Sequence, residues 1–203
     1  MRSQKWDGDV AQSVEQRTEN PCVVGSIPIV PTKRPQIEVF FYFYPMATHL
    51  KNLDNFNASG LQSIENKRIG IVTAEWNEEV TFAMRNGAID FLKQYGALDS
   101  NLVIKQVPGS FELVYGAQKL LEREQVDGVI AIGCVIQGET PHFDFICQAV
   151  ATGIAELNIK FGKPVIFGVL TTLNQSQALE RGGGKHGNKG IEAAGTLVKM
   201  LHF

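Results

Sequence analysis

Between residues 68 and 171 the sequence alternates short apolar runs with longer stretches of helical periodicity. The runs at 68–74, 101–107, 128–135 and 164–171 are rich in Val and Ile and have the length of buried strands. Between and after them, apolar residues recur three and four positions apart, as on one face of an amphipathic helix. The order βαβαβαβα predicts an α/β fold, with a four-stranded parallel sheet covered by helices on both faces.

The helix boundaries follow from local signals. Asn77 precedes two glutamates and is predicted to cap the first helix, and Ser110 is predicted to start the second. Further helices are expected at 143–161 and 175–181. The glycine-rich stretch 182–190 is interpreted as a flexible link to a last helix.

The N-terminal region differs from the rest of the chain. Five of the eight prolines lie within residues 1–45, where neither period is sustained. We expect residues 1–58 to be a disordered extension and 59–203 to be the folded domain. A second interpretation of 1–45, which the sequence leaves open, is a misplaced start with Met46 as the initiator, because this region resembles the conceptual translation of a transfer-RNA gene.

Composition narrows the range of partners. A net charge of -2 gives no basic surface for nucleic acid, and no apolar run approaches the length of about 20 residues that spans a bilayer. Three cysteines without C-x-x-C spacing indicate reduced thiols in a cytoplasmic protein. Metal-ligand spacing is also missing, so no metal is expected. The composition therefore gives no indication of a nucleic-acid or membrane partner.

Residues suited to ligand binding follow three of the predicted strands. Ligands of open α/β sheets bind beyond the carboxyl ends of the strands. Trp76 follows the first strand, either as packing or as a platform for a flat ring. Glu112 follows the second strand and either is solvated or accepts hydrogen bonds from ligand N–H groups. Phe167 lies inside the fourth strand and is interpreted as a core residue.

His142 stands where the third strand gives way to a helix, close to Glu139, Thr140 and Asp144. A lone histidine is most often a capping or merely exposed residue. Its place at a strand end, and an unperturbed pKa near neutrality, favour a role in proton transfer.

The sequence Gly-Gly-Gly-Lys-His-Gly at 182–187 matches G-x-G-x-x-G, but no strand is predicted before it. The dinucleotide interpretation therefore fails. Arg181, Lys185 and Lys189 flank this stretch and offer positive charge for a phosphate, the alternative being a solvated link.

Four motifs resemble those of the 6,7-dimethyl-8-ribityllumazine synthase family. They are A-E-W-N, P-G-S-F-E, G-C-V-I-Q-G-E-T-P-H-F-D and L-E-R-G-G-G-K-H-G-N-K-G, in order from about residue 60 to the C-terminus. The resemblance implies a three-layer, flavodoxin-like sandwich. It also implies a transferase of riboflavin biosynthesis that condenses 5-amino-6-(D-ribitylamino)uracil with 3,4-dihydroxy-2-butanone 4-phosphate, without metal or organic cofactor.

By motif match, the resemblance makes His142 the proton donor and acceptor. Implied contacts to the ribitylaminouracil are Trp76, Ser110, Phe111, Glu112, Cys134, Val135, Ile136 and Phe167. Implied contacts to the butanone phosphate are Glu139, Thr140, Arg181 and Lys189. Gln137 stands where the family frequently has arginine, and Trp76 where it frequently has phenylalanine.

The resemblance further implies a homopentamer, twelve of which form a 60-subunit icosahedral shell in many members, with sites between neighbouring chains and an association with riboflavin synthase. Independently, a four-stranded sheet leaves an edge exposed, and the polar leader before Arg68 is a candidate to cover it.

Two alternatives to the enzyme remain. One is a container or carrier that binds lumazine or flavin without turnover, which has no need of both His142 and Arg181. The other is a flavodoxin-like domain that binds flavin mononucleotide, which needs a Ser/Thr-rich phosphate loop after the first strand. Glu75 stands there instead, and its carboxylate repels phosphate.

Overall fold

The computed structural model describes residues 60–203, so the predicted extension 1–58 and the proposed start at Met46 lie outside the described residues. The main-sheet strands are β1 (Ile69–Ala74), β2 (Leu102–Val107), β3 (Gly128–Ile136) and β4 (Val165–Thr172). A hairpin is formed by β5 (Gly182–Gly184) and β6 (Gly187–Asn188). The helices are α1 (Glu78–Gln94), α2 (Leu113–Arg123), α3 (His142–Phe161), α4 (Gln175–Arg181) and α5 (Lys189–Met200), and a short 3-10 turn (Asp99–Asn101) precedes β2.

The main sheet is parallel throughout, with strand order β2-β1-β3-β4. The chain therefore steps from β1 outward to β2, and then crosses to β3 on the other side of β1. The β3–β4 ladder runs to the pair Ile136–Thr172, whereas the β1–β3 ladder ends at Thr73–Ile132. Beyond that pair, β1 and β3 are no longer joined by ladder hydrogen bonds.

Two apolar cores lie on opposite faces of this sheet, which confirms the predicted three-layer α/β architecture. On one face α1 and α5 bury residues such as Met84, Leu92 and Leu197 against the sheet. On the other face α2 and α3 bury Leu113 and Ile154. The alternation of side chains along a strand, one to each face, is what lets a continuous apolar strand serve both cores.

The leader contributes more to the core than its polar composition predicts. Ile64 is fully buried in the core beneath α1, and its N–H donates to the carbonyl oxygen of Tyr95 at 2.9 Å. Within residues 60–67 the backbone forms no strand. The described part of the leader therefore closes one end of the α1 layer and does not pair with a sheet edge.

Two helix starts differ from the prediction. Helix α2 begins at Leu113, because the chain from Ser110 first makes a turn in which the Leu113 N–H donates to the Ser110 carbonyl at 3.2 Å. Asn77 does stand at the N-cap position of α1, but its side chain does not cap the helix. It adopts a left-handed backbone conformation and directs its amide elsewhere.

The glycine-rich stretch is a β-hairpin and not a flexible link. β5 and β6 pair antiparallel around a turn at Lys185 and His186. Asn188 holds the hairpin in place, donating to the Ala83 carbonyl of α1 at 3.0 Å and accepting from the Gly190 N–H at 2.8 Å. The expectation failed because glycine content was taken as flexibility, whereas here it permits close packing against α1.

Candidate active site at the carboxyl edge of the sheet

A cavity of about 440 Å³ opens at the carboxyl ends of β1, β2 and β3. This edge of a doubly wound sheet is where ligands bind, next to the point at which the strand order reverses. Here that point lies between β1 and β3, since their connections leave in opposite directions. The lining residues are Trp76, Asn77, Gly109, Ser110, Phe111, Glu112, Cys134, Val135, Ile136, Gly138, Thr140, His142, Phe143 and Ile146.

The aromatic side of the cavity is formed by Trp76 and Phe111. Both rings are largely exposed, at 73% and 55% of their full area, although each is held by an ordered backbone. The main-chain N–H of Trp76 donates to the Pro108 carbonyl at 3.0 Å, so the loop after β1 is tied to the loop after β2. An exposed indole on a backbone held in this way suits stacking against a flat ring.

The second wall consists of the turn after β2. Ser110 is buried, and a Cβ placed on Gly133 would lie 2.7 Å from its hydroxyl oxygen, so glycine in β3 is what admits this turn. A Cβ on Gly109 would similarly lie 2.9 Å from a carboxylate oxygen of Glu112. Close packing against these two glycines therefore accompanies the placement of both Ser110 and Glu112 at the cavity wall.

His142 is the first residue of α3 and is exposed at the rim of the cavity. No side chain caps this 20-residue helix, and the Asp144 N–H donates to the Pro141 carbonyl at 3.1 Å. The main-chain N–H groups of His142 and Phe143 are therefore the ones that face a ligand at this rim. Such a helix end attracts anions. The rim thus combines an exposed imidazole side chain with the partial positive charge of a helix N-terminus.

The two thiols that the structure describes, Cys134 and Cys147, are free. Burial raises the pKa of Cys134 to about 11. Burial, together with the nearby carboxylate of Asp144, raises the pKa of Cys147. Neither is a thiolate near neutral pH, so neither is an activated nucleophile. Cys134 serves the cavity as an apolar wall residue.

Several lining residues were not expected from the sequence. Ile146 lies one turn after His142 on α3, and the i, i+4 spacing alone would have placed both on one face. Phe143 and the glycines Gly109 and Gly138 lie within the motifs at 108–112 and 133–144, which are expected at this edge, but none of the three was named as a ligand contact. Asn77 was interpreted as a helix cap, and only the structure shows that it lines the cavity.

Four of the residues implied by the motifs do not line this chain's cavity. Phe167 is half-buried against the core beneath α2 and α3, in the middle of β4. Arg181 donates to the Gln177 carbonyl at 3.1 Å, and Lys189 pairs with Glu192 at 2.6 Å. Glu139 is exposed in the loop before α3.

Comparison with known proteins shows the family to which the chain belongs. Residues 66–203 match the model of 6,7-dimethyl-8-ribityllumazine synthase. The chain belongs to the 6,7-dimethyl-8-ribityllumazine synthase family. It is 54% identical over 156 residues to a protein of that name from Cytophaga hutchinsonii, covering 77% of this chain and 98% of the relative. It is also 52% identical over 155 residues to its counterpart from Porphyromonas gingivalis, covering 76% and 96%.

The match to the 6,7-dimethyl-8-ribityllumazine synthase family confirms the resemblance drawn from the four motifs. Every residue that lines the cavity falls within the matched range 66–203. No helix in residues 60–203 is both long enough and apolar enough to cross a membrane. The fold, the place of the cavity and the family agree.

Proposed function

We propose that this chain catalyses the condensation of 5-amino-6-(D-ribitylamino)uracil with 3,4-dihydroxy-2-butanone 4-phosphate, giving 6,7-dimethyl-8-ribityllumazine, phosphate and water. The observation that carries this proposal is the cavity itself. It combines an exposed indole, a carboxylate and a histidine in a chain that belongs to the lumazine synthase family.

The pyrimidine fits the inner part of the cavity. Its flat ring stacks on Trp76, with Cys134, Val135 and Ile136 from the end of β3 along its edge. Glu112 and Ser110 accept hydrogen bonds from the ring and the ribityl hydroxyls, and Phe111 covers them. These contacts fix the amino nitrogen toward the rim, where the butanone arrives.

His142 moves the protons. When the amine adds to the butanone carbonyl to form an imine, water leaves, and that oxygen must be protonated as it departs. Loss of phosphate and ring closure each require a further proton transfer. A histidine at the cavity rim donates and accepts protons near neutral pH, which makes it the acid–base group for these steps.

The phosphate binds at the N-terminus of α3. The open N–H groups there and the Thr140 hydroxyl, beside Glu139, supply hydrogen bonds for an oxyanion. A departing phosphate also needs fixed positive charge, which Arg181 and Lys189 provide. Because these two cations do not line the cavity of their own chain, we assign them to the site of a neighbouring copy.

The active site is therefore shared between two chains of a homopentamer. Phe167, Arg181 and Lys189 come from one chain, and His142 and Trp76 from the next. Trp76 and Phe111 are exposed beside the open cavity, and a neighbouring chain that covered them would remove this apolar surface from water. We further propose a cytoplasmic enzyme whose pentamers assemble into a 60-subunit shell and associate with riboflavin synthase.

A turnover assay tests the proposal, following lumazine fluorescence after the two substrates are mixed with the full-length protein. We expect His142→Ala to lower kcat by about 100-fold, the lower end of what general acid–base catalysis contributes. His202→Ala is the matched control, since His202 is exposed at the C-terminus and does not line the cavity. It should keep wild-type turnover.

If His142→Ala turned over at the wild-type rate, His142 would not be the acid–base group, but the proposed enzymatic activity would stand. If the wild type binds both compounds but yields no product above the uncatalysed background, the proposal fails and a carrier that binds without turnover replaces it.

A further inference from the structure

Asn77 combines two unusual features at the place where the cavity opens. It is one of two non-glycine residues in the described part of the chain with a positive φ, at 63°. Its side-chain amide donates to the main-chain carbonyl of Cys134 at 2.9 Å, across the gap between the ends of β1 and β3. A left-handed backbone conformation costs free energy in a residue other than glycine, and such residues recur at functional sites.

The sheet topology explains what this hydrogen bond does. The ladder between β1 and β3 stops at Thr73–Ile132, and Cys134 lies two residues beyond that pair. Here the two strands separate, and the separation is the crevice into which a flat ring would insert. The Asn77 amide replaces the missing ladder hydrogen bond and fixes the width of the crevice.

The same residue helps to hold the backbone turn that carries Trp76. Trp76 directly precedes Asn77, and its own N–H is held by the Pro108 carbonyl on the opposite side. The Asn77 carbonyl in turn accepts from the N–H groups of Val80 and Thr81 in α1. The turn that carries the indole is thus tied to β2, to β3 and to α1.

We infer that Asn77 is a positioning residue, which holds the Trp76 indole and the end of β3 at the separation that a pyrimidine ring requires. This inference rests on the proposed function for the identity of the ring. It concerns only the pyrimidine side of the cavity, because Asn77 contacts neither the rim at His142 nor the start of α3 in the hydrogen bonds above.

Two substitutions separate the backbone from the amide. Asn77→Gly tolerates the left-handed backbone but removes the donor. Asn77→Asp keeps the shape and replaces the donor by an acceptor that faces the Cys134 carbonyl. The matched control is Asn101→Gly, because the Asn101 amide makes the same type of bond, to the Glu65 carbonyl at 2.9 Å, at the opposite end of the sheet.

We expect Asn77→Gly to raise KM for the ribitylaminouracil by roughly 3- to 10-fold, the effect of losing one neutral hydrogen bond. Asn77→Asp should raise it further. KM for the butanone phosphate should change by less than about 2-fold in both, and Asn101→Gly should change neither. If both KM values rise by the same factor while the melting temperature falls, Asn77 is merely structural and the inference is overturned. Unchanged KM for the ribitylaminouracil overturns it as well.

A binding measurement keeps this result distinct from the proposed function. In the full-length chain with Trp6→Phe, Trp76 is the remaining tryptophan, and its fluorescence reports pyrimidine binding without the second substrate. Weaker binding in Asn77→Gly by the same roughly 3- to 10-fold supports the inference even if the wild type does not turn over. Equal binding in the two proteins overturns it, and no binding to the wild type overturns both.

Discussion

At the scale of single residues, burial decides which cavity groups are chemically active. Cys134 and His142 both line the cavity, but Cys134 is 1% exposed whereas His142 lies open at the rim. Removal from water penalises the thiolate and keeps Cys134 neutral. The cavity therefore combines an inert apolar wall residue near the end of β3 with an exposed imidazole at the start of α3.

The buried thiol predicts how stability depends on alkaline pH. The folded Cys134 holds its proton up to about pH 11, whereas an unfolded thiol with the ordinary value of 9.0 has lost it well below that. Above that ordinary value the unfolded state binds fewer protons than the folded state, so the free energy of unfolding falls as pH rises. The loss between those two values is about 3 kcal/mol.

The measurement is chemical denaturation of the wild type and of Cys134→Ala across the alkaline range. The variant removes the titrating group while leaving the other alkaline groups, including Cys147, in both proteins. We expect the wild type to lose about 3 kcal/mol more than the variant as the thiol titrates. Parallel pH profiles would show that the Cys134 thiol ionises as readily in the folded chain as in water.

At the scale of the elements, glycines let α1, the β5–β6 hairpin and α5 approach one another closely. Gly190 begins the first turn of α5, and a Cβ placed on it would overlap the Met84 carbonyl of α1. Asn188 then reaches across this close contact to the Ala83 carbonyl. The glycines fix the hairpin against α1, which is the reverse of the flexible link that composition suggested.

Gly190→Ala tests this contact. Backbone meets backbone there, so no side chain can turn aside, and we expect the free energy of unfolding to drop by about 3 kcal/mol or more. The matched control is Gly138→Ala, where a Cβ would meet nothing within 4 Å. Thermal denaturation of both variants is the measurement, and Gly190→Ala should melt at the lower temperature. Equal melting temperatures would contradict the close packing.

At the scale of the whole molecule, the separation of cationic residues from the cavity points to a site completed by a second copy. Arg181 and Lys189 make their hydrogen bonds within their own chain, to Gln177 and Glu192. His142 and Trp76 lie around a cavity that those cations do not line. The proposed half-sites would meet their counterparts through a head-to-tail contact, which forms a closed ring when its rotation closes.

Mixed oligomers distinguish a shared site from one built within a single chain. We expect His142→Ala and Arg181→Ala each to be inactive alone. When the two chains are co-expressed, random assembly should restore activity at about a quarter of the interfaces, where an intact His142 meets an intact Arg181. Co-expression of Arg181→Ala with the double variant is the control, since neither chain carries an intact Arg181 and no complete site can form.

The double variant carries no intact half, so the control mixture should stay at background. Activity that never returns in the first mixture would place both residues in one chain's own site. The mass of the wild-type particle, measured by sedimentation, should be a multiple of five times the 22.3 kDa chain.

The sequence by itself determined the layers and the edge of the sheet that carries the site. Apolar residues recur with different periods in strands and in helices, so the alternation of the two element types can be recognised in a single sequence. Buried parallel strands are also apolar on both faces, which marks them as continuous apolar runs. The helix at 175–181 was placed at its observed bounds, and Trp76, Ser110, Glu112 and His142 were assigned to the edge where the cavity opens. Four motifs in register gave the family.

Only the tertiary structure decided how these parts meet. The left-handed turn at Asn77 and its bond to Cys134 join residues 57 positions apart, which no local pattern encodes. Burial of Ile64 in the core, and the hairpin at 182–188 held by Asn188, likewise depend on partners that are distant in sequence. Periodicity reports which face of an element is apolar. The contacts that set a cavity's width are long-range, and they exist only once the layers have packed.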